Sequence, residues 1–113
     1  MPRRSGDAGA VRRLAPVFAA LGDQTRLRVV ARLCEAGPLS ITQLAEGAHV
    51  TRQAVTKHLQ VLEQAGLVKS VREGRENVFR LRASGLHEAK RFLEIVSREW
   101  DERIERLRAH VEK

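Results

Sequence analysis

Hydrogen-bonding side chains concentrate on one side of residues 51–65. At about 100° per residue of a helix, the polar side chains share one arc, while apolar side chains and His58 fill the opposite arc. Arginine or lysine can donate to the guanine edge, glutamine can bond adenine, and threonine can contact a thymine methyl or a phosphate. We therefore expect one face to pack on a core, with His58 as a packed, hydrogen-bonded histidine, and the other to enter a DNA major groove. The expected base contacts are Arg52, Gln53, Thr56 and Lys57, with Gln60 on the same arc.

Capping signals place this segment in a helix-turn-helix over residues 40–66. Ser40 followed by Gln43 is a capping-box pattern, and Thr51 and Gly66 suit the N-cap and the C′ position of the second helix. Because helix N-termini attract anions, we expect phosphate contacts from Ser40, Thr42 and Thr51. Capping alone would also explain Ser40 and Thr51.

Two helices are predicted before this unit, over residues 11–21 and 24–36. Residues 1–10 are polar and contain glycine, so we expect a disordered arm. Pro16 is tolerable only in a first turn, which predicts that the first helix begins near Leu14 or Ala15. Asp23 is the expected N-cap of the second helix, whose expected buried stripe is Leu27, Val30, Ala31 and Cys34.

A β-hairpin and a long helix are predicted after it. Residues 67–72 and 77–82 alternate apolar and polar side chains around a charged tip, which indicates a hairpin or wing over residues 67–82. Arg72, Arg75 and Arg80 could reach phosphate or minor groove there, or remain solvated. The helix over residues 84–111 would run about 40 Å. Its apolar stripe is longer than a small domain needs, so we expect a partner on it.

Composition supports one domain over residues 11–113 and limits the classes of function. Of the 113 residues, Lys and Arg number 21 and Asp and Glu 14, giving a net charge of +7 that favours a polyanionic partner without proving one. With a single cysteine, no internal disulfide can form, and we expect a cytoplasmic protein with Cys34 as a small buried side chain. The sequence has no apolar run that predicts a membrane span. It has no glycine-rich phosphate loop or nucleophile elbow, so we expect no enzyme.

Four separated motifs occur in one order: FAALGDQTRLR at residues 18–28, TRQAVTKHL at 51–59, LEQAGLV at 62–68 and REGR at 72–75. Together they resemble the ArsR/SmtB transcriptional regulators over residues 11–82. The resemblance implies a mainly α (α+β) winged helix-turn-helix with a two-stranded wing. It also implies a homodimer in which the first and last helices pair, the last helix acting as the dimerisation helix. The interface residues expected from it are Leu14, Phe18, Leu93, Val96, Trp100, Ile104 and Leu107.

The metal motifs of that family are not present in this chain. Ser40 and Thr42 stand where the family has a Cys-x-Cys pair, and neither hydroxyl replaces a thiolate for a soft metal. In the last helix Asp101 has Arg103 where histidine is needed, and His110 lacks the following acidic ligand at the required spacing. We therefore expect no metal and no cofactor through the known family sites, and the inducer stays unidentified.

The function expected from these features is a homodimeric repressor that binds double-stranded DNA at a palindromic operator near its own promoter. Two alternatives stay open. One is a winged-helix protein-interaction module that does not bind DNA. The other is a metal- or redox-responsive repressor that uses a non-standard site.

Overall fold

A computed structural model describes residues 8–112 of the chain. Within this range the helices are α1 (Ala8–Leu21), α2 (Gln24–Ala36), α3 (Ile41–Ala48), α4 (Arg52–Gln64) and α5 (Ala83–Val111). The strands are β1 (Leu39–Ser40), β2 (Val68–Glu73) and β3 (Glu76–Leu81). The predicted fold class is confirmed: α3 and α4 form the helix-turn-helix, β2 and β3 form the wing, and α5 follows.

The wing is part of a three-stranded antiparallel sheet of order β1-β3-β2. Strands β2 and β3 pair from Val68 opposite Leu81 to Glu73 opposite Glu76, around a turn in which Gly74 has φ 60°. Strand β1 pairs with β3 through Leu39 opposite Phe79. The sequence did not predict β1, because two residues are too few to show an alternating pattern.

The predicted caps are all present, and they fix where the helices around the turn begin. Asp23 accepts a hydrogen bond from the backbone of Arg26, and Thr51 accepts one from the backbone of Ala54. Ser40 and Gln43 form the complete capping box. These contacts satisfy backbone N–H groups that a helix start leaves unpaired.

The core lies beneath the helix-turn-helix and the base of the wing. Its most completely buried side chains are Leu44, Val55, Leu59, Leu62, Leu67 and Val68. They come from α3, α4, the turn after α4 and β2, so burial of apolar surface holds the inner face of α4 against the domain.

The first helix begins earlier than the sequence predicted. Residues 8–10, expected in a disordered arm, are helical, and the other residues of that arm lie outside the described range. Pro16 is therefore inside α1 and not in its first turn. It removes the hydrogen bond to the carbonyl of Arg12. Because Arg12 and Pro16 are exposed, water can satisfy that carbonyl.

The predicted buried face of α2 was wrong. Leu27 is 52% exposed and Cys34 is exposed, whereas Val29 and Leu33 enter the core at 2% and 3% exposure. Ala31 is also exposed, and Val30 is partly buried. Both sets have helical spacing, so the sequence alone could not decide which one faces α3 and β3.

Helix α5 extends beyond the rest of the domain. The described chain measures 66 × 30 × 20 Å and its radius of gyration is 18.3 Å, against about 13 Å for a compact domain of this length. The buried side chain of α5 is Ala89, near its beginning. No helix within residues 8–112 combines the length and apolar character needed to cross a membrane.

Candidate nucleic-acid interface

The polar face of α4 forms a shallow surface cleft. Its lining side chains are those expected to contact bases: Arg52, Gln53, Thr56, Lys57 and Gln60. All are exposed except Thr56, which is half-buried. The opposite face of α4 is buried in the core, so packing fixes the helix with its cleft directed toward solvent.

Hydrogen bonds inside the helix-turn-helix determine which donor and acceptor groups of Thr51 and Thr56 remain available to contact DNA. The hydroxyl of Thr56 donates to the carbonyl of Arg52 at 2.8 Å. Thr56 therefore presents its methyl group and its remaining acceptor capacity. Thr51 Oγ1 accepts from the N–H of Ala54 at 3.1 Å, and its own hydroxyl proton can still be donated because the residue is exposed.

The first helix of the motif offers fewer contacts than expected. Ser40 is 5% exposed, and its Oγ accepts from the N–H of Gln43 at 3.2 Å. Capping accounts for Ser40, and its side chain has little exposed surface left for a phosphate. Thr42 is exposed in the first turn of α3.

The wing carries exposed arginines close to the cleft-bearing helix. Arg72 lies on β2, Arg80 lies on β3, and Arg75 lies in the turn between them. Glu63 near the end of α4 binds the wing, since its Oε2 accepts from Ser70 N at 3.4 Å and from Ser70 Oγ at 3.2 Å. The sequence placed Glu63 on the polar arc but gave no sign of this role.

The cleft and the wing carry exposed cations. None of the ion pairs within residues 8–112 involves Arg52, Lys57, Arg72 or Arg75. Exposed cations beside donor side chains favour a polyanion, because each can neutralise a phosphate and release a counterion.

A hydrogen-bonded junction lies behind the cleft, where α1, α2 and α4 meet. Arg26 donates through Nε to the carbonyl of Ala20 at 2.7 Å, and its Nη1 lies 3.5 Å from Nδ1 of His58. Asp23 Oδ2 accepts from the N–H of Arg26 at 3.0 Å and lies 3.8 Å from His58 Nδ1. The backbone hydrogen bond from Arg26, and then the nearby Arg26 and His58 charges, lower the pKa of Asp23, against the raising effect of its desolvation.

The junction confirms that His58 is half-buried and packed, with a polar partner. Sequence reasoning missed Arg26. A signal was present, however: a cation in the first turn of a helix opposes the helix dipole, which indicates that its side chain has a partner elsewhere.

A groove of about 980 Å³ opens between α1 and α5. Phe18 and Leu21 form one wall, and the floor includes Leu86, Ala89 and Leu93. The ring of Phe18 packs on Phe92 with centroids 5.9 Å apart.

Most of the expected interface residues are exposed along α5: Leu93, Val96, Trp100, Ile104 and Leu107. Phe18 is half-buried in the groove wall. Leu14 is an exception to the prediction. It is 3% exposed and belongs to the chain's own core, so it has almost no surface left for a partner.

The part of the chain that the structure describes contains no group of three or more His, Cys, Asp or Glu side chains placed to hold a metal ion. Ser40, at a position that the family uses for metal ligands, is occupied by its capping bonds.

Similarity to known proteins agrees with this architecture. A family model described as a helix-turn-helix domain matches residues 21–71. The HTH-type transcriptional regulator YuzN of Bacillus subtilis, itself uncharacterised, is 43% identical over 68 residues, which are 55% of this chain and 74% of that protein.

Solved structures extend the similarity to α5. An ArsR-like transcriptional regulator from Rhodococcus sp. RHA1 superposes with a TM-score of 0.79 and 40% identity, covering 90% of this chain and 95% of that one. The homodimeric winged helix-turn-helix DNA-binding domain Mb0332 of Mycobacterium bovis gives a TM-score of 0.65 and 25% identity, covering 88% and 91%.

These relatives are transcriptional regulators, which confirms the expectation that the chain is not an enzyme. The motifs of the helix-turn-helix, the hairpin wing and the long last helix agree with the similarity over nine-tenths of the chain. The chain therefore belongs to the ArsR family of winged helix-turn-helix, DNA-binding transcriptional regulators.

Proposed function

We propose that this regulator is a homodimeric repressor that binds a palindromic operator through the polar cleft of α4. The observation that carries the proposal is the division of α4: Val55, Leu59 and Leu62 are buried in the core, while the donors of the opposite face line one exposed cleft. An interaction helix would instead be expected to expose apolar or aromatic anchors there.

The residues of the cleft have separate roles in this proposal. Arg52 and Lys57 bind guanine edges, Gln53 binds an adenine edge, and the Thr56 methyl contacts a thymine methyl. Gln60 extends the same face toward the end of the contact. Around them Thr51, Thr42, Arg72 and Arg75 bind phosphates and fix the position of the protein on the duplex.

The proposed partner at the groove is a second copy of the chain in antiparallel orientation. We place the midpoint of the proposed pairing at Trp100, because it is the largest exposed apolar side chain of α5. Antiparallel pairing about this midpoint brings Leu93 opposite Leu107 of the partner subunit. The same pairing covers the exposed C-terminal part of α5 and fills the groove beside α1. The homodimeric state of Mb0332 supports a second copy of the chain as the partner.

Two-fold symmetry of the dimer is the reason to expect a palindromic operator. Two α4 helices related by a two-fold axis bind inverted half-sites, whose centres should lie about 34 Å apart or a multiple of that distance. Repression follows most simply from occupation of the site. Within residues 8–112, the chain has no folded unit beyond the winged domain and α5 to contact the transcription machinery.

A double substitution tests the recognition face. Gln53→Ala with Lys57→Ala should abolish selectivity for the operator over a scrambled duplex, at about 1–3 kcal/mol for each lost base contact. The matched control, Gln24→Ala with Arg28→Ala, removes one amide and one cation from exposed positions on α2 and should retain selectivity. A double mutant that protects its operator like the wild type would contradict the assignment of this face.

Cross-linking tests the dimer. In a Cys34→Ser background, Trp100→Cys should cross-link to itself with a short bis-maleimide. Leu93→Cys and Leu107→Cys should cross-link only when the two variants are mixed. Self-linking of Leu93→Cys would indicate a parallel pair, and no cross-link in any sample would contradict the dimer.

A further inference from the structure

We propose that Arg26 is a positioning residue that sets the angle between α1 and the DNA-contacting helix α4. The inference rests on the proposed dimer, in which this angle determines how far apart the two α4 helices stand. Arg26 has no place in the cleft itself, so its effect on DNA binding would pass through His58.

The first contact of Arg26 is with the end of α1. The last carbonyls of a helix have no partner within it. Arg26 Nε donates to the carbonyl of Ala20 at 2.7 Å, and Nη2 donates to that of Ala19 at 3.4 Å. A cation at this helix end also interacts favourably with the helix dipole. Arg26 therefore caps α1 from a different helix.

The second contact is with α4. Arg26 Nη1 lies 3.5 Å from Nδ1 of the half-buried His58. Because a guanidinium only donates, Nδ1 of His58 accepts this hydrogen bond when that ring nitrogen is unprotonated. His58 is adjacent to Lys57 in the chain and two residues after Thr56, both of which line the cleft.

Asp23 holds the bridging residue in place. Its Oδ2 accepts from the backbone N–H of Arg26 at 3.0 Å, which fixes the start of α2 from which the arginine extends. The planar guanidinium can thus bond two helices in one orientation, whereas an ammonium group could satisfy one of them at a time.

The hydrogen bonds of Arg26 affect DNA binding because they join α4 to α1, the helix beside the proposed dimer groove. Apolar packing between α1 and α4 is non-directional and tolerates small rotations, whereas the hydrogen bonds of Arg26 have preferred directions. Phe18 and Leu21, in the last turn of α1, line the groove that the second copy would fill. Rotation of α4 against α1 would therefore shift one α4 relative to the other in the dimer.

The positioning role predicts that substitution of Arg26 changes the affinity for a duplex with two half-sites more than the affinity for a duplex with one. Arg26→Gln should weaken binding to a full palindromic duplex, selected from random DNA, by about ten-fold, equivalent to about 1.4 kcal/mol. Binding to a duplex of the same length with one half-site scrambled should stay within about two-fold of the wild type, well under that free energy. Arg28→Gln, which removes the same charge from an exposed position on α2, should change neither.

Three further measurements separate positioning from general stability. His58→Leu removes the acceptor on α4 but leaves Arg26 bonded to α1, and it should reproduce the loss specific to the full site. The nitrogen-15 signal of His58 Nδ1 should move in Arg26→Gln and not in Arg28→Gln. Arg26→Lys should restore part of the full-site affinity, because it can bond one helix end.

The outcomes distinguish this inference from the proposed function. Equal losses on the full and half-site duplexes, or no loss on either, would overturn the positioning role while leaving operator binding by the dimer intact. A wild-type protein that prefers no duplex at all would overturn both.

Discussion

The guanidinium of Arg32 on α2 occupies the space that a side chain at Gly47 on α3 would need. A Cβ at Gly47 would overlap with Nη1 and with the central carbon of that guanidinium. The guanidinium is held there because Nη1 donates to the carbonyls of Gln43 at 3.0 Å and Leu44 at 3.1 Å. A side chain at Gly47 would thus require Arg32 to move from these carbonyls, whereas the backbone conformation of Gly47 does not itself require glycine.

This relationship predicts that the effect of Gly47→Ala changes sign with the residue at position 32. In the wild type the substitution displaces Arg32 from two carbonyls, so we expect a net loss of about 1 kcal/mol of unfolding free energy. In an Arg32→Ala background the overlap is gone, and alanine should stabilise the helix by about 0.5–1 kcal/mol. Urea unfolding of the four proteins measures both steps. Equal effects in the two backgrounds would contradict the overlap.

Asp23 should contribute to the pH dependence of stability in the acidic range. Its pKa is lowered in the folded protein, first by the hydrogen bond from the Arg26 backbone. The stabilisation is therefore complete above the unfolded pKa and is lost as the pH falls through the folded pKa. Asp23→Asn keeps a capping side chain that does not titrate. Between neutral pH and about pH 3, its thermal midpoint should fall less than that of the wild type. Parallel curves of thermal midpoint against pH for the two proteins would show that Asp23 does not contribute to the pH dependence of stability.

Glu63 should hold the base of the wing against α4. Strand β2 lies at the edge of the sheet, and the carboxylate of Glu63 receives both the N–H and the hydroxyl of Ser70. Glu63→Ala should speed hydrogen exchange at the Ser70 amide and weaken DNA binding by loosening the wing, with less than about 1 kcal/mol lost from stability because the bonds are exposed. Glu46→Ala, at an exposed position on α3, is the matched control. An unchanged rate of hydrogen exchange at the Ser70 amide would show that Glu63 does not hold the wing against α4.

Arg75 at the wing turn should contribute through a phosphate and not through base recognition. Arg75→Ala should weaken binding to all duplexes by a similar factor. The salt dependence should become shallower by about 0.9 in log–log slope per lost contact, or about 1.8 per dimer. Fluorescence titrations at several salt concentrations provide the slope. A loss confined to the operator would instead assign Arg75 to base recognition.

The sequence predicted those parts of the fold whose signals are local. Ser40 with Gln43, and Thr51, cap their helices because the bonding partners lie three residues away. The cleft residues of α4 were also predictable, since that helix has one buried apolar face and one exposed polar face.

The features that the sequence did not predict depend on distant neighbours. Helix α2 has two apolar arcs, and contact with the rest of the core decides that Val29 and Leu33 are buried while Cys34 is exposed. The contact from Arg26 to His58 joins residues 32 positions apart. Leu14 belongs to the chain's own core, although the same helical spacing suits an interface.

Selection of bound fragments from random double-stranded DNA by the purified protein shows directly whether the chain recognises a palindromic operator. We expect enrichment of an inverted repeat whose half-sites are centred about 34 Å apart or a multiple of that distance. The Gln53→Ala, Lys57→Ala double variant should enrich no such sequence. Recovery of no palindrome by the wild-type protein would contradict the account and favour a winged-helix module that binds another protein.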